Sequence, residues 1–227
     1  GTCVAVGAEL RNAAAIATKG KAFMTQYIGD VVSLEGLEAE KHALGIMRDL
    51  LNITRNPDVI ACDLHPEYMT SQYAKVISQE MGVEAVQSQH HHAHIVSVMA
   101  ENMVPLDEEV LGIALDGAGY GQDTQIWGGE ILKSTYSGFE RLGQLEYLPM
   151  PGGDQCAYYP YRMLVAGLTN AVTDDIIRDI TENHVKQALP YGKKELEPIL
   201  RQSRSKDVTK TSGAGRFLDA VAALLEL

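Results

Sequence analysis

The sequence predicts an α/β protein of two lobes, each beginning with a meander of three short strands. Apolar runs separated by tight turns occur at the start of the chain and again from Val110 onward. Between these regions the apolar residues take helical spacing and alternate with short buried strands, as in α/β proteins. The repeated order predicts a first lobe at 1–104 and a second lobe at 105–227.

The elements of the first lobe follow from spacing and capping residues. Residues 2–7, 12–18 and 22–27 predict an antiparallel meander. Ser33 is the predicted N-cap of a helix whose apolar face carries Leu34, Leu37, Leu44, Met47 and Leu51. Pro66 should open the next helix and Gly82 end it, with Met69, Tyr73 and Val76 on one face. Strands at 58–62 and 83–87 and a helix at 90–102 complete this lobe.

The second lobe is predicted to begin with strands at 110–115, 124–132 and 134–142 and to continue as helices at 158–168, 174–183, 193–201 and from 215 to the end. It lacks the β-α-β-α order that should follow its meander. The last helix, with Phe217, Val221 and Leu224 on one face, runs to Leu227 without a cap. We therefore expect the second lobe to be truncated at its C-terminal side.

Composition limits the classes of function. The chain has 227 residues, of which 45% are hydrophobic and 22% charged, the balance of a soluble globular protein. A formal net charge of -11 disfavours a nucleic-acid partner, because phosphate contacts need a surplus of Lys and Arg. We find no signal peptide, and no apolar run approaches the roughly 20 residues of a membrane span, so no membrane partner is expected.

The three cysteines form no CxxC pair, which predicts a reducing compartment and a cytoplasmic location. Cys3 and Cys62 lie in apolar runs and are predicted core residues. Cys156 lies in a predicted loop, where its side chain could be exposed.

Four histidines within five residues form the most informative stretch: His90, His91, His92 and His94. His90 and His94 are four residues apart on a predicted helix, so both lie on one face, about one turn apart. Two imidazoles at that spacing can bind one metal ion. His91 and His92 point to other faces, where they could contact substrate phosphate or pack against the neighbouring lobe. The alternative is that these are surface histidines or support a site without binding metal.

A Gly-rich run at 116–123 follows one buried strand and precedes another. Glycines at a strand end allow backbone N–H groups to approach phosphate, and Gly117, Gly119 and Gly121 are the candidates here. Asp116, at the strand tip, could ligate a metal. Taken alone, the run is better explained as a hairpin turn.

Two further loops are candidates for nucleotide binding. The loop at 7–12 joins the first two strands, and Arg11 and Asn12 there could hold phosphate oxygens, although a hairpin turn again explains it alone. The loop at 149–154 contains Gly152 and Gly153. Its Asp154 is placed to cap the following helix, or to accept a hydrogen bond from a ribose hydroxyl.

Two lobes that begin alike are the organisation of the actin, hexokinase and heat-shock ATPase superfold. In that superfold, phosphate-binding turns join the first two strands of each lobe and nucleotide lies between the lobes. The strand and helix order comes from the periodicity, whereas the assignment to this superfold is an analogy.

These pieces together resemble the HypF family of hydrogenase maturation carbamoyltransferases, over essentially the whole chain. The motifs that carry the resemblance are AVGAELRN (5–12), GD (29–30), ACDLHP (61–66), HHHAH (90–94), ALDGAGYG (114–121) with Asp123, IWGGE (126–130), PGGD (151–154) and TSGAGR (211–216). Within this pattern, the family usually has Lys at the position of Arg11 and often Thr at the position of Ala118.

The resemblance implies an activity. An upstream domain of the family makes carbamoyl adenylate from carbamoyl phosphate and ATP, and the domain matched here transfers the carbamoyl group to the C-terminal cysteine of a HypE acceptor protein. That thiocarboxamide becomes the cyanide ligand of nickel-iron hydrogenase. Because the family's upstream domains and its C-terminal Gly-rich segment with a last metal-ligand Asp are not in this sequence, we expect the fragment to be incomplete for a full catalytic cycle.

The resemblance also implies roles for individual residues. His90, His94 and Asp116 would bind zinc or iron. His91, His92 and Arg11 would be catalytic. The residues that would line the ATP-derived AMP moiety of carbamoyl adenylate are Glu9, Asn12, Gly117, Gly119, Gly121, Gly152, Gly153 and Asp154, with Arg11 beside them.

Two alternatives stay open from the sequence. The antibiotic O-carbamoyltransferases and the tRNA threonylcarbamoyl-transfer proteins share the His pair and the fold, although the HHHAH and DGAGYG forms favour HypF. The other alternative is a non-catalytic module that binds nucleotide or metal and docks a partner.

Overall fold

The computed structural model describes residues 1–184, 189 and 191–226. Its described part forms two compact units, Gly1–His90 and His91–Leu227. Each unit is a mixed α/β structure, and each contains an antiparallel three-stranded meander, so the predicted fold class is confirmed. The predicted lobe boundary at 104/105 stays a prediction.

The first unit is a five-stranded sheet with two helices. Its elements are β1 (Thr2–Ala5), β2 (Ala15–Thr18), β3 (Lys21–Met24), α1 (Leu34–Leu50), β4 (Val59–Asp63), α2 (Met69–Met81) and β5 (Glu84–Ser88). The strand order is β3-β2-β1-β4-β5, in which β1, β4 and β5 are parallel. Their carboxyl ends therefore meet at one edge of the sheet, which is where ligands bind in open α/β sheets.

Buried aliphatic residues hold the two helices of the first unit to its sheet, with Val6, Ile16, Ile60 and Ala74 fully enclosed. The hydroxyl of Ser33 accepts a hydrogen bond from the Gly36 N–H at 3.2 Å, which confirms the predicted cap of α1. A short side chain with an acceptor oxygen satisfies one of the N–H groups that the first turn of a helix leaves free.

The start of α2 differs from the prediction, whereas its end agrees with it. Pro66 lies in a turn and Tyr68 is the N-cap residue, so the helix begins after the proline. Gly82 ends it in the left-handed conformation, with φ of 68°. The predicted apolar face is wrong at Val76, which is 53% exposed. Small residues make the buried face instead, because they allow close approach to the sheet: Thr70, Ser71, Ala74 and Ser78.

The second unit contains a second five-stranded sheet. Its strands are β6 (Val110–Tyr120), β7 (Ile126–Thr135), β8 (Gly138–Gln144), β9 (Leu148–Pro149) and β10 (Lys210–Thr211). The strand β7 pairs with β6, with β8 and, in parallel at Ile126, with β10. The predicted turn directly after Leu115 is wrong, because β6 continues to Tyr120 through a register shift between Leu115 and Gly119. Glycines allow a bulge of this kind without ending the strand.

The helices of this unit are α3 (His90–Glu101), α4 (Gln155–Tyr158), α5 (Pro160–Leu168), α6 (Asp174–His184), α7 (Leu196–Ser203) and α8 (Ala214–Leu224). The division between the units falls after His90, the first residue of α3, so His90 is the junction residue. Pro160 splits the predicted helix at 158–168, because proline begins helices more readily than it continues them. The prediction that the last helix runs to Leu227 without a cap is wrong, because α8 ends at Leu224 with Leu225 as its C-cap residue; Leu227 itself lies outside the described residues.

Within the described part of the chain, no helix combines the length and the apolar character needed to cross a membrane.

Candidate metal and nucleotide site

The helix α3 follows β5 after a single residue, Gln89, and therefore begins at the ligand-binding edge of the first sheet. His90 and His94 lie one turn apart on it, as predicted. One ligand atom of each, together with a carboxylate oxygen of Asp116, forms a group whose members all lie within 4.8 Å of one another. The structure thus brings together the three residues that were predicted as metal ligands.

Asp116 lies on β6, next to the first turn of α3. Its Oδ2 is 3.7 Å from Nε2 of His91 and 3.7 Å from Nε2 of His94. The His91 side chain is fully buried, whereas that of His94 is 59% exposed. His91 therefore lies on the buried side of Asp116, at a separation longer than a hydrogen bond, and its predicted catalytic role stays a prediction.

His92 lies on the inner side of α3. Its Nε2 is 2.8 Å from the carbonyl oxygen of Thr135 on β7, and its ring centroid is 5.1 Å from that of Phe139. A carbonyl oxygen only accepts hydrogen bonds, so Nε2 carries the proton. This geometry is that of a core histidine packed on the sheet, and a catalytic role for His92 stays a prediction.

Asp63, at the carboxyl end of β4, contacts the first histidine of α3. Its Oδ2 is 2.9 Å from Nδ1 of His90, and its Oδ1 accepts a hydrogen bond from the His65 N–H at 2.8 Å. The ring of His65 stacks on that of Tyr68, with centroids 4.1 Å apart. Sequence reasoning placed Asp63 within a family motif but missed it as a site residue, although an Asp that ends a buried strand was an available signal.

The turn at 7–12 is held by its own side chains. The Asn12 amide donates to the carbonyl oxygens of Val6, at 2.8 Å, and Ala8, at 2.5 Å. Arg11 has a left-handed backbone, with φ of 50°, and its N–H donates to Asp30 at 2.9 Å. The side chain of Arg11 is left exposed, whereas that of Asn12 is buried.

Glu9 carries the carboxylate of this turn. Its Oε1 accepts a hydrogen bond at 3.1 Å from the N–H of Met69, the first residue of α2, which has no partner within the helix itself. Arg11 is thus the exposed cation of the turn, while Glu9 and Asn12 brace the backbone. Nucleotide contacts of these residues stay predictions.

The Gly-rich run on β6 packs against the N-terminus of α8. A Cβ atom at Gly215 would lie 2.9 Å from the Cα of Gly117, so position 215 requires glycine for this backbone approach, whereas a Cβ at Gly117 would meet only the Arg216 guanidinium, at 3.6 Å. Gly119 and Gly121 are buried, and a Cβ at Gly121 would meet the indole of Trp127. The close packing brings the TSGAGR segment, which sequence reasoning did not assign to the site, next to Gly117.

A polar network fixes the turn after β6. Asp123 accepts hydrogen bonds from Trp127 Nε1 at 2.8 Å and from the Tyr147 hydroxyl at 2.6 Å. Burial alone would raise the pKa of Asp123, but these hydrogen bonds, one from the Gln125 N–H and the charge of Arg141 together hold it below its ordinary value. The Asp123 carboxylate is therefore a charged anchor of the turn and not a proton donor.

The loop at 149–154 has a structure that differs from the prediction in two respects. Asp154 occupies the N-cap position of α4, but its exposed carboxylate makes no capping hydrogen bond. Cys156 is fully buried, with Sγ 3.3 Å from the Pro151 carbonyl oxygen, so the expected exposure is wrong. Burial raises the pKa of its thiol to about 11. Gly152 and Gly153 have φ of 87° and 58°, values that favour glycine.

The donor set fits a metal ion. Two imidazole nitrogens and one carboxylate oxygen in one group are the ligands of protein zinc sites, and they suit iron equally. A buried carboxylate on the second nitrogen of His90 also matches the way in which metal-binding histidines are held.

Comparison with known protein families matches both parts of the chain. Residues 1–101 match the family described as "HypF Kae1-like domain", and residues 112–227 match "Carbamoyltransferase, Kae1-like Domain, second subdomain".

Curated relatives carry the same family name. The chain is 37% identical, over 97% of its length, to the "Probable carbamoyltransferase HypF" of Methanocaldococcus jannaschii, and it spans 28% of that protein. It is 34% identical, over 99% of its length, to the "Carbamoyltransferase HypF" of Synechocystis, of which it spans 30%. The chain thus corresponds to less than a third of these relatives.

Solved structures of the same family superpose on the chain. A crystal structure of T. kodakarensis HypF superposes with a TM-score of 0.91 and 40% identity, covering 100% of this chain and 30% of that one. A full-length HypF in its phosphate- and nucleotide-bound form superposes with a TM-score of 0.84 and 35% identity, covering 99% of this chain and 33% of that one.

Proposed function

The chain belongs to the HypF carbamoyltransferase family, and we propose that it transfers a carbamoyl group from carbamoyl adenylate to the C-terminal cysteine of a HypE-like acceptor protein. The observation that carries the proposal is the grouping of His90, His94 and Asp116 within 4.8 Å. A plain nucleotide-binding module has no need of two imidazoles and a carboxylate around one point.

In the proposed reaction, the acceptor's thiolate sulfur attacks the carbamoyl carbon. A C–S bond forms, the bond from that carbon to the phosphate oxygen breaks, and AMP leaves with the electron pair. The thiol proton passes to water before the attack. His90, His94 and Asp116 would hold zinc or iron, which would supply polarisation of the carbamoyl carbonyl when bound.

The remaining residues would bind and orient the adenylate. In the first unit, the exposed guanidinium of Arg11 is the group suited to a phosphate, while Asp30 and Asn12 hold its turn in place. In the second unit, the backbone around Gly117 and the loop with Gly152 and Gly153 would line the adenylate, although the Gly117 N–H itself donates to Asp116 at 2.6 Å and the Gly153 N–H to the Met150 carbonyl oxygen at 3.0 Å. The buried side chain of His91 lies 3.7 Å from Asp116 on the interior side of the site.

The test supplies all substrates and measures acceptor mass. The zinc-loaded chain is incubated with an acceptor that ends in cysteine, and carbamoyl adenylate is generated by a full-length HypF relative whose own histidine pair is replaced by alanine. We expect one carbamoyl group on the terminal cysteine, lost with His94→Ala and retained with Glu101→Gln. Glu101 is an exposed acidic residue at the other end of α3.

Two outcomes would contradict the proposal. An unmodified acceptor in the presence of the zinc-loaded chain would exclude carbamoyl transfer by this chain. Carbamoylation of a hydroxyl group, with the cysteine untouched, would replace the thiol acceptor with an O-carbamoyltransferase activity.

A further inference from the structure

We propose that Asp63 is a positioning residue that sets the tautomer and orientation of His90, so that the Nε2 atom of His90 is the one presented to the metal. The inference deepens the proposed function and rests on it only in assigning a metal to His90. The contact between Asp63 and His90 stands independently of any ligand.

Strand pairing brings the two residues together. The strands β4 and β5 are parallel, and Asp63 lies opposite Ser88 in their register. His90 follows Ser88 by two residues, as the first residue of α3. The end of one strand and the start of the next helix therefore meet at the carboxyl edge of the sheet, although 27 residues separate Asp63 from His90 in the sequence.

Contacts other than the one to His90 also fix the position of the Asp63 carboxylate. Asp63 is only 7% exposed. Its Oδ1 accepts from the His65 N–H at 2.8 Å, and its own backbone carbonyl accepts from the Ser71 hydroxyl at 3.1 Å. With Oδ1 committed to His65, Oδ2 is the oxygen that faces His90, at 2.9 Å from Nδ1.

The direction of this hydrogen bond follows from the chemistry of its two partners. An ionised carboxylate only accepts, so Nδ1 of His90 must donate and carry the proton. In the neutral ring the lone pair then lies on Nε2, which is the form that binds a metal. Carboxylates placed in this way orient metal-binding histidines in many proteins, and their loss lowers metal affinity by about 10- to 100-fold.

The two histidines of the pair differ in their exposure. The side chain of His90 is 21% exposed and lies against a buried carboxylate, whereas that of His94 is 59% exposed. The role proposed for Asp63 therefore concerns the less exposed histidine of the pair.

The decisive variant is Asp63→Asn. Its carbonyl oxygen can still accept from the His65 N–H, which keeps the loop in place. The amide NH₂ then faces His90 and donates to Nδ1, which reverses the hydrogen bond and moves the ring proton to Nε2. Asp58→Asn is the matched control, because Asp58 directly precedes the same strand at its other end and also accepts a backbone hydrogen bond, from Thr2.

Two measurements test the proposal. The tautomer of His90 is read from long-range ¹H–¹⁵N correlation spectra of the metal-free chain at pH 8, with the signal assigned by its loss in His90→Gln. Zinc affinity is then measured by competition with a chelator. We expect the Nδ1–H form in the wild type and in Asp58→Asn. In Asp63→Asn we expect the Nε2–H form and zinc binding weaker by about 10- to 100-fold.

Each contrary result has a separate meaning. An Nε2–H tautomer of His90 in the wild type would overturn the role of Asp63, whether or not zinc binds. Unchanged zinc affinity in Asp63→Asn would show that the orientation does not serve a metal. A wild-type chain with the Nδ1–H tautomer that binds neither zinc nor iron would contradict the metal site of the proposed function, while the effect of Asp63 on the tautomer would stand.

Discussion

Arg141 donates a hydrogen bond from Nε to the carboxylate of Glu130 at 2.6 Å, and the Glu130 side chain is fully buried. The same carboxylate accepts from the Ser212 hydroxyl and from the Gly128 N–H. The guanidinium lies over the indole of Trp127, with Cζ 3.9 Å from the ring centroid. One ion pair thus joins β7, β8 and the segment that leads into α8.

We predict that Glu130→Ala destabilises the second unit by about 3 kcal/mol, the lower end of the cost of breaking a buried ion pair, because Arg141 is partly exposed. Removal of the Glu130 carboxylate leaves the Arg141 cation and the Ser212 hydroxyl without the acceptor that they share. Urea unfolding measures the change. The exposed pair of Lys133 and Glu109 is the control, and Lys133→Ala should change the unfolding midpoint little. Equal effects of the two substitutions would contradict the importance of burial.

A second prediction concerns Glu40 on α1, which is fully buried with neither carboxyl oxygen hydrogen-bonded in the described structure. Burial raises its pKa from 4.5 to about 7. The folded state therefore holds this proton over a pH range in which the unfolded state has lost it. Stability must fall as pH rises from about 4.5 to about 7 and then level off, by about 3 kcal/mol in total from this group.

The variant Glu40→Gln should remove that fall, so the variant gains stability relative to the wild type as pH rises from 5 to 8. Urea unfolding at several pH values measures the difference, in which the other titrating groups cancel. Glu38→Gln is the matched control, since Glu38 is an exposed glutamate on the same helix. Parallel pH profiles for Glu40→Gln and the wild type would disprove the prediction.

The third prediction separates His92 from the proposed metal ligands His90 and His94. In His92→Phe the ring keeps its contact with Phe139, but the carbonyl oxygen of Thr135 loses its donor. We expect a loss of about 1–3 kcal/mol in the free energy of unfolding. Zinc affinity should stay within about twofold of the wild type, because the Nε2 atom points to β7. A large loss of zinc binding, comparable with that of His94→Ala, would show that His92 belongs to the metal site.

A fourth prediction concerns Gly128 on β7. A Cβ there would lie 2.7 Å from the Asp116 carbonyl oxygen and 2.9 Å from the Cα of Gly213. Gly128→Ala should therefore push β6 and the start of α8 apart, at a cost of about 1–3 kcal/mol, and weaken zinc binding through Asp116. Gly138→Ala, where a Cβ would meet nothing within 4 Å, should leave both quantities unchanged. Normal zinc affinity and stability in Gly128→Ala would contradict this packing.

The sequence by itself determined the order of strands and helices as far as β8, the cap at Ser33, the end of α2 at Gly82 and the placement of His90 and His94 on one helical face. These features depend on spacing and on the backbone preferences of single residues, which act over a few positions. For the same reason the three metal-ligand candidates could be predicted, because one pair is a helical repeat and Asp116 follows an apolar strand. At Pro66 and Val76 the structure departs from these local preferences, because α2 begins after the proline and buries its small residues against the sheet.

Only the tertiary structure decided which distant groups meet. The register of β4 and β5 places Asp63 against His90, and the pairing of β7 with β8 places Arg141 against Glu130. The continuation of β6 through its glycines and the burial of Cys156 likewise depend on segments far along the chain, such as the N-terminus of α8. Contacts of this kind require strand register and close backbone approach, and neither quantity is contained in local periodicity.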